Sequence, residues 1–229
     1  MKNIAGALRD LLTRRKYFDN IWGGPFNGQE IRRKIFKDII SRCKIEAIVE
    51  TGTFKGNTTN FMYNQSKLPV FTVESDPRSF YYSSFRFMFI KHIKVYLNDC
   101  RMFLKDINNE ISPVLKTFFY LDAHWNKDLP LKEELNIVFT SFDSAVVMVD
   151  DFKVPFDEGF KYDSYEDVEL SLDYITDLTL TFPDIEFFFP RSSEVETGSK
   201  RGCILITTNK DIANQLSQIP YVRKYAPAA

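Results

Sequence analysis

Short apolar runs alternate with helix-length segments through most of the chain, and this alternation restricts the fold more than any other feature. Helices between strands are typical of βαβ units, which build a parallel sheet covered on both faces. The last two runs are joined by a polar stretch too short for a helix, which predicts an antiparallel last strand. The sequence thus predicts a Rossmann-like, doubly wound α/β fold with a seven-stranded, mostly parallel sheet. The predicted strands are 47–50, 70–74, 93–97, 117–121, 145–149, 185–189 and 203–207, and the predicted helices between them are 58–64, 78–89, 100–110, 131–140 and 165–180.

The N-terminal residues precede this alternating pattern. Apolar residues at helical spacing predict an amphipathic helix over 2–18. Asn27, with Glu30 three residues later, predicts the capped start of a second helix. We therefore interpret the chain as an N-terminal helical extension, 1–44, followed by one α/β domain, 45–229.

Charge and composition narrow the class of partner. The 30 basic and 31 acidic residues nearly cancel, which gives no electrostatic reason to expect nucleic acid. Three widely spaced cysteines fit no paired-ligand motif and indicate reduced thiols. Charges interrupt the first apolar residues, and no later run could span a bilayer. We expect a cytoplasmic protein that binds a small molecule and no membrane, with homo-oligomerisation left open.

The stretch 48–59 reads as a strand, a tight turn and the start of a helix. Gly52 and Gly56 allow positive φ or a close approach of the backbone to a ligand, and the helix start adds unpaired N–H groups. Glu50 places a negative charge where phosphate-binding turns avoid one. The turn therefore favours a cationic ligand over a pyrophosphate.

A carboxylate follows each of the first five predicted strands. Ligands of open α/β sheets bind at the carboxyl ends of the strands, so these side chains are expected to share one crevice. Glu74 lies 18 residues beyond Gly56, near the spacing at which an acidic residue bonds ribose hydroxyls. Asp99 suits either an adenine amino group or the N-cap of the next helix. The five positions are Glu50, Glu74, Asp99, Asp122 and the pair Asp150-Asp151.

These residues resemble the motifs of the class I S-adenosylmethionine-dependent methyltransferases, in order, over residues 45–208. The match includes Glu-x-Gly-x-x-x-Gly followed by two acidic strand ends. The resemblance implies S-adenosylmethionine as cofactor, with Glu74 on its ribose and Asp99 on its adenine. The other residues that it implies at the cofactor are Glu50, Gly52, Thr53, Phe54, Gly56, Asn57, Thr58 and Asp122.

A second group of acids comes from the fourth and fifth strands. Asp122, Asp150 and Asp151 would repel one another unless a cation, a proton or an arginine compensates, and hard oxygen ligands suit Mg²⁺. The structural alternative is that Asp150 caps a helix and Asp151 is solvated. The group is similar to that of metal-dependent O-methyltransferases of the catechol and macrocin types. This likeness implies that the three aspartates bind a divalent ion and that Asp122 and His124 are catalytic, with His124 as general base. The catechol-type enzymes commonly place a lysine near the metal as base, and Lys153 is the residue considered for that role here.

The sequence therefore predicts methyl transfer to a hydroxyl of a small molecule, a sugar or an aryl compound, with a divalent metal. Two alternatives stay open: a metal-independent methyltransferase, and a non-catalytic cofactor-binding module on the same fold. A nicotinamide dehydrogenase is disfavoured because the third glycine of its fingerprint is missing. We expect acceptor specificity to come from loops near 22–30, 125–130 and 152–167.

Overall fold

The computed structural model describes residues 2–124 and 128–226; the predicted specificity loop 125–130 lies partly outside this range. The chain alternates helices and strands around one large sheet. The strands are β1 (Ala47–Thr51), β2 (Val70–Glu74), β3 (Ile93–Leu97), β4 (Thr117–Leu121), β5 (Ala145–Asp150), β6 (Ser164–Tyr165), β7 (Val168–Glu169), β8 (Glu186–Pro190), β9 (Cys203–Thr207) and β10 (Val222–Lys224). The helices are α1 (Lys2–Thr13), α2 (Arg15–Asn20), α3 (Glu30–Arg42), α4 (Asn57–Ser66), α5 (Pro77–Phe87), α6 (Cys100–Asp106), α7 (Leu131–Ser141), α8 (Leu172–Ile175), α9 (Leu178–Thr181) and α10 (Lys210–Ser217), with 3₁₀ turns at Ile21–Gly23, Pro25–Gly28 and Ile107–Asn109.

The large sheet has the strand order β10-β8-β9-β5-β4-β1-β2-β3. Strands β1 to β5 pair in parallel, whereas β9 runs antiparallel between β5 and β8. The Rossmann-like fold and the antiparallel strand are confirmed, and each of the seven predicted strands is present to within one residue. Strand β10 is an additional eighth strand of this sheet. It was not predicted because three residues, two of them exposed and charged, are too few for a recognisable pattern.

The central strands are mostly apolar because helices cover both faces of the sheet. Strands β1, β2, β4 and β5 are buried at every position. Alternate side chains enter two separate cores: Val49 and Phe119 lie in one, and Ile48 and Phe118 lie in the other. Among the described residues, no helix combines the length and apolarity needed to cross a bilayer.

The predicted helix over 165–180 is wrong. Residues Ser164–Tyr165 and Val168–Glu169 form a two-stranded hairpin, and only the one-turn helices α8 and α9 follow it. The Tyr165 hydroxyl donates to Asp163 Oδ2 at 3.0 Å and to the carbonyl of His124 at 3.2 Å. The bond to His124 joins residues far apart in the sequence and opposes the local helical spacing, so the segment forms a hairpin instead of a helix.

The N-terminal extension packs against the sheet domain. Its helix α3, which corresponds to the predicted second helix, is not capped by Asn27 as predicted. Asn27 has a φ of 55°, and its side chain reaches Asp150 instead of the start of α3. The cap comes from Glu196, whose carboxylate accepts from the N–H groups of Ile31 at 2.9 Å and Arg32 at 3.1 Å. The start of α3 therefore depends on a residue that lies far away in the sequence.

Candidate active site

A cavity of about 780 Å³ opens at the carboxyl ends of the parallel strands. It lies where the strand order reverses, between β1 and β4. Its wall includes Gly52 and Glu74 on one side and Asp122, His124 and Asp151 on the other. Residues predicted from separate strand ends are thus brought into one cavity.

The turn after β1 passes directly against the strand end of β4. Gly52 has a φ of 88°, and a Cβ atom there would lie 2.2 Å from the carbonyl oxygen of Asp122. The turn continues to Phe54, whose N–H donates to Glu74 Oε2 at 2.6 Å, and the N–H of Asp76 donates to Glu74 Oε1 at 2.8 Å. Burial raises the pKa of Glu74, and these backbone donors partly oppose the shift. The turn thereby fixes the Glu74 carboxylate in the cavity wall.

Glu50 and Thr53 lie beneath the turn and are not among the residues that line the cavity. Glu50 Oε2 accepts from the hydroxyls of Thr59 and Thr72, and Thr53 Oγ1 lies 2.6 Å from Thr72 Oγ1. Burial raises the pKa of Glu50 to about 7, although both hydroxyl bonds oppose it. The structure therefore shows Glu50 as a support of the turn.

Three other predicted cofactor residues lie at the end of the turn and the start of α4, and two of them bond the N-terminal extension. Gly56 has a φ of 73°, and a Cβ there would overlap the ring of Phe87. Asn57 Nδ2 donates to the carbonyl of Phe18 at 2.5 Å, and Thr58 Oγ1 accepts from the N–H of Phe26 at 3.3 Å. None of the three lines the cavity.

Asp99 lines the cavity and also caps α6. Its Oδ1 accepts from the N–H of Arg101 at 2.9 Å, and its Oδ2 pairs with Arg101 Nη2 at 2.6 Å. The hydrogen bond from the Arg101 side chain lowers the pKa of Asp99. The N-cap alternative is therefore confirmed, and a role at adenine remains a prediction.

The carboxylate of Asp150 is occupied by protein donors. Arg32, which is completely buried, pairs with Oδ1, and the N–H of Asp151 donates to the same oxygen at 2.9 Å. The Tyr120 hydroxyl donates to Oδ2 at 2.6 Å, and Asn27 Nδ2 donates to it at 3.0 Å. Asp150 lies in the cavity wall but is not in the group that could hold one ion, and the predicted ligand set remains a prediction.

That group consists of Asp122, His124 and Asp151. One ligand atom from each lies within 4.8 Å of the others, and no further group of this kind occurs in 2–124 and 128–226. His124 Nε2 lies 4.0 Å from Asp122 Oδ1 and from Asp151 Oδ2. His124 is 6% exposed, and its Nε2 has no hydrogen-bond partner among the described residues. An unsatisfied buried nitrogen costs about 1–3 kcal/mol, so the donor set fits a bound cation.

The two aspartates of this group differ in charge compensation. Burial raises the pKa of Asp122 well above its usual range, and the nearby Asp150 and Asp151 add to the shift. Burial also acts to raise the pKa of Asp151, but His124 and Arg201 outweigh it and hold the pKa at about 2. Without a cation the raised pKa favours the neutral acid at Asp122, whereas Asp151 stays ionised beside Arg201.

Arg201, from the charged pair before β9, pairs with acidic residues of this site. Its Nε donates to Asp151 Oδ1, and its Nη2 pairs with Asp163. Its backbone is fixed by Gln29, whose Oε1 accepts from the Arg201 N–H at 2.8 Å and whose Nε2 donates to the Arg201 carbonyl at 2.9 Å. Arg32 also donates to that carbonyl. Neither Gln29 nor Arg32 carries a sequence signal of this role, because Gln29 is a polar residue just before α3 and Arg32 is a polar residue within that amphipathic helix.

The remaining predicted residues differ in whether they line the cavity. Lys153 pairs with Glu169 at 2.6 Å outside the cavity wall, so the structure gives no support for it as a base. Within the predicted specificity loops, Trp22 and Lys161 line the cavity, and the ring of Trp22 lies 5.1 Å from that of Phe54.

Comparison with known proteins gives a fold and no closer relative. No protein-family model and no curated protein matches the chain. An O-methyltransferase from Bacillus cereus in complex with S-adenosylhomocysteine is similar, with a TM-score of 0.59 and 14% identity over 90% of each chain. The O-methyltransferase TomG from Streptomyces achromogenes, involved in tomaymycin synthesis and solved with S-adenosylmethionine, gives 0.57 and 15% over 78% of this chain and 79% of its own. A Podospora anserina methyltransferase bound to S-adenosylhomocysteine gives 0.55 and 13% over 88% and 86%.

The chain therefore has the fold of the class I S-adenosylmethionine-dependent methyltransferases, and solved O-methyltransferases are among the structures that share it. Identities of 13–15% show this fold alone. The predicted fold class is confirmed.

Proposed function

We propose that this protein transfers a methyl group from S-adenosylmethionine to a hydroxyl oxygen of a small molecule, with a divalent ion at Asp122, His124 and Asp151. The observation that carries the proposal is that one cavity contains both Glu74 and this group of possible ligands. The structures that share the fold include O-methyltransferases solved with the cofactor or its product. Donor and acceptor sites would therefore be adjacent.

The cofactor would lie against the turn after β1. In this proposal Gly52 lets the backbone approach the cofactor, Glu74 accepts from its ribose hydroxyls, and Asp99 lies near its base. Glu50, Thr53, Gly56, Asn57 and Thr58 would act by supporting the turn and the start of α4. Catalysis requires the acceptor oxygen to be aligned with the methyl group and to lose its proton.

When bound, a divalent ion would orient acceptor oxygens and lower the pKa of a hydroxyl. Asp122 and Asp151 would supply carboxylate oxygens, and His124 would supply Nε2. The same nitrogen cannot hold an ion and accept a proton, so we propose His124 as a ligand in this form of the enzyme. Arg201 would keep Asp151 ionised and oriented.

A metal-independent methyltransferase is the second candidate, and one observation favours it. Two of the three aspartates already have an arginine partner: Asp150 pairs with Arg32, and Asp151 pairs with Arg201. In this form His124 would be free to act as the general base between Asp122 and Asp151.

Calorimetry with S-adenosylmethionine tests the cofactor half of the proposal. Incubation of the protein with cell extract and methyl-labelled cofactor, followed by mass spectrometry, tests transfer. We expect cofactor binding, and labelled product that disappears with chelator and in Asp151→Asn. Product that persists under both conditions would support the metal-independent enzyme, and binding without any product would support a non-catalytic module.

Three further proposals concern context. We propose that the extension 1–44 and the domain 45–229 act as one unit, because Arg32 and Gln29 of the extension contact the site. We also propose a cytoplasmic location. No helix among the described residues is long and apolar enough to cross a membrane. Size-exclusion chromatography with light scattering would test for a homo-oligomer.

A further inference from the structure

The donor atoms at the candidate metal group differ from those expected for a magnesium site. Three carboxylates would offer only hard oxygen atoms, which suit Mg²⁺. In the structure, Asp150 is bonded to other residues and is not in the group, and the third possible ligand atom is an imidazole nitrogen of His124. Imidazole suits the divalent transition ions better than it suits Mg²⁺.

We propose that the group Asp122, His124 and Asp151 selects a divalent transition ion over Mg²⁺, with His124 Nε2 as a direct ligand. The inference rests on the proposed function, since it specifies the ion of the same site. It deepens that proposal because it makes the ion's identity depend on a single side chain.

The position of His124 supports this assignment. Its imidazole is almost fully buried, and Nε2 points between two carboxylates at 4.0 Å from each, without a hydrogen-bond partner in the described parts of the chain. Two ligands of one ion can be separated by at most about 4.2 Å when each bond is about 2.1 Å long. Each separation therefore allows His124 Nε2 to share an ion with that carboxylate.

The hydrogen bonds around Asp150 explain why Asp150 would not bind the ion. A ligand must offer a free lone pair, and Asp150 accepts from Arg32, Tyr120, Asn27 and the N–H of Asp151. Arg32 is completely buried and carries its own positive charge to this carboxylate. Moving Asp150 onto an ion would leave that guanidinium buried without its partner, which is strongly unfavourable.

The experiment measures metal binding directly, without cofactor or acceptor. Protein freed of metal with a chelator is titrated with Co²⁺ and Mg²⁺ by calorimetry, and Mn²⁺-loaded protein is studied by pulsed electron paramagnetic resonance for coupling to ¹⁴N. The variants are His124→Asn and, as a matched control, His92→Asn, because His92 is an exposed residue stacked on Tyr63 outside the cavity.

We expect ¹⁴N coupling in the wild type and in His92→Asn, and none in His124→Asn. We also expect His124→Asn to lower Co²⁺ affinity by about tenfold or more, while Mg²⁺ affinity changes by less than about threefold. Wild-type Mn²⁺ without ¹⁴N coupling would overturn the proposal even if His124→Asn does not fold. An unchanged ratio of Co²⁺ to Mg²⁺ affinity in folded His124→Asn would overturn it too. A negative methyl-transfer assay would reject only the proposed function, because metal binding is measured separately.

Discussion

The two sides of the cavity are built in different ways. On the cofactor side, Gly52, Phe54 and Glu74 are held by backbone bonds between neighbouring strand ends. On the side proposed to bind a metal ion, the metal side, Asp150 and Arg201 are held by Arg32 and Gln29, more than 100 residues earlier in the chain. The bonds that hold Glu74 on the first side come from consecutive βαβ units, although Asn57 and Thr58 also bond the N-terminal extension. On the second side, the acids and Arg201 are bonded directly by side chains of that extension.

This difference predicts that damage to the N-terminal extension is concentrated on the metal side. A buried ion pair contributes little net stability while intact, but removal of one partner leaves an uncompensated charge in the core. The cofactor side contains no comparable pair, since Glu50 and Glu74 accept only from hydroxyl and backbone donors in the described structure. The two sides should therefore respond differently to substitution and to pH.

The largest effect is expected for Arg32→Met. The substitution leaves the Asp150 carboxylate buried without its guanidinium, and we expect the free energy of unfolding to fall by about 3–5 kcal/mol. Urea denaturation measures the change. Arg32→Met/Asp150→Asn should recover part of the loss, because it removes the unpaired charge. Arg42→Met, at an exposed position of the same helix, is the control. A loss no larger than that of the control would contradict the distinction between the two sides.

The next effect is a pH dependence at Glu50. Its folded-state pKa is raised from 4.5 to about 7, so the folded protein binds the proton more tightly than the unfolded chain does. The stability from this proton is complete below pH 4.5 and is lost as pH rises to about 7. Relative to wild type, Glu50→Gln should therefore gain up to about 3 kcal/mol in unfolding free energy between pH 4 and pH 8.

Denaturation of both proteins across this range tests the prediction. Glu158→Gln, at an exposed loop position, serves as control and should change by less than about 0.5 kcal/mol. If the difference between Glu50→Gln and wild type stays constant with pH, the buried Glu50 carboxyl has no raised pKa.

A smaller loss of stability is expected for Gly52→Ala. The new Cβ would meet the carbonyl oxygen of Asp122, and alanine disfavours the φ of 88°. We expect a loss of about 2 kcal/mol in unfolding free energy. Gly6→Ala is the matched control, because Gly6 lies within α1 and its added methyl would meet only the flexible end of the Arg78 side chain at 3.3 Å. Equal effects in the two variants would show that the turn can move away from β4.

The same difference explains what the sequence could predict. The strands and the acidic strand ends were predictable, because burial on both faces and the βαβ order leave local patterns. The bonds that occupy Asp150 were not, because they come from Arg32, Tyr120 and Asn27 in three distant segments. Arg32 has the same helical spacing as any solvent-exposed arginine, and only the tertiary structure shows that it is buried.

The smallest effect is expected for Glu74→Gln, which tests whether Glu74 binds the cofactor or only stabilises the fold. Glu74 accepts from the N–H groups of Phe54 and Asp76 and faces the cavity. Glu74→Gln keeps the shape of the side chain but removes its charge and one of its acceptor oxygens. We expect affinity for S-adenosylmethionine, measured by calorimetry, to fall about tenfold, which corresponds to about 1.4 kcal/mol. Glu110→Gln, at an exposed position where Glu110 pairs with Lys94, is the control. If Glu74→Gln loses stability while its cofactor affinity is unchanged, Glu74 supports the turn and does not bind ribose; the cofactor side would then be held together by Glu74 as the metal side is by Arg32.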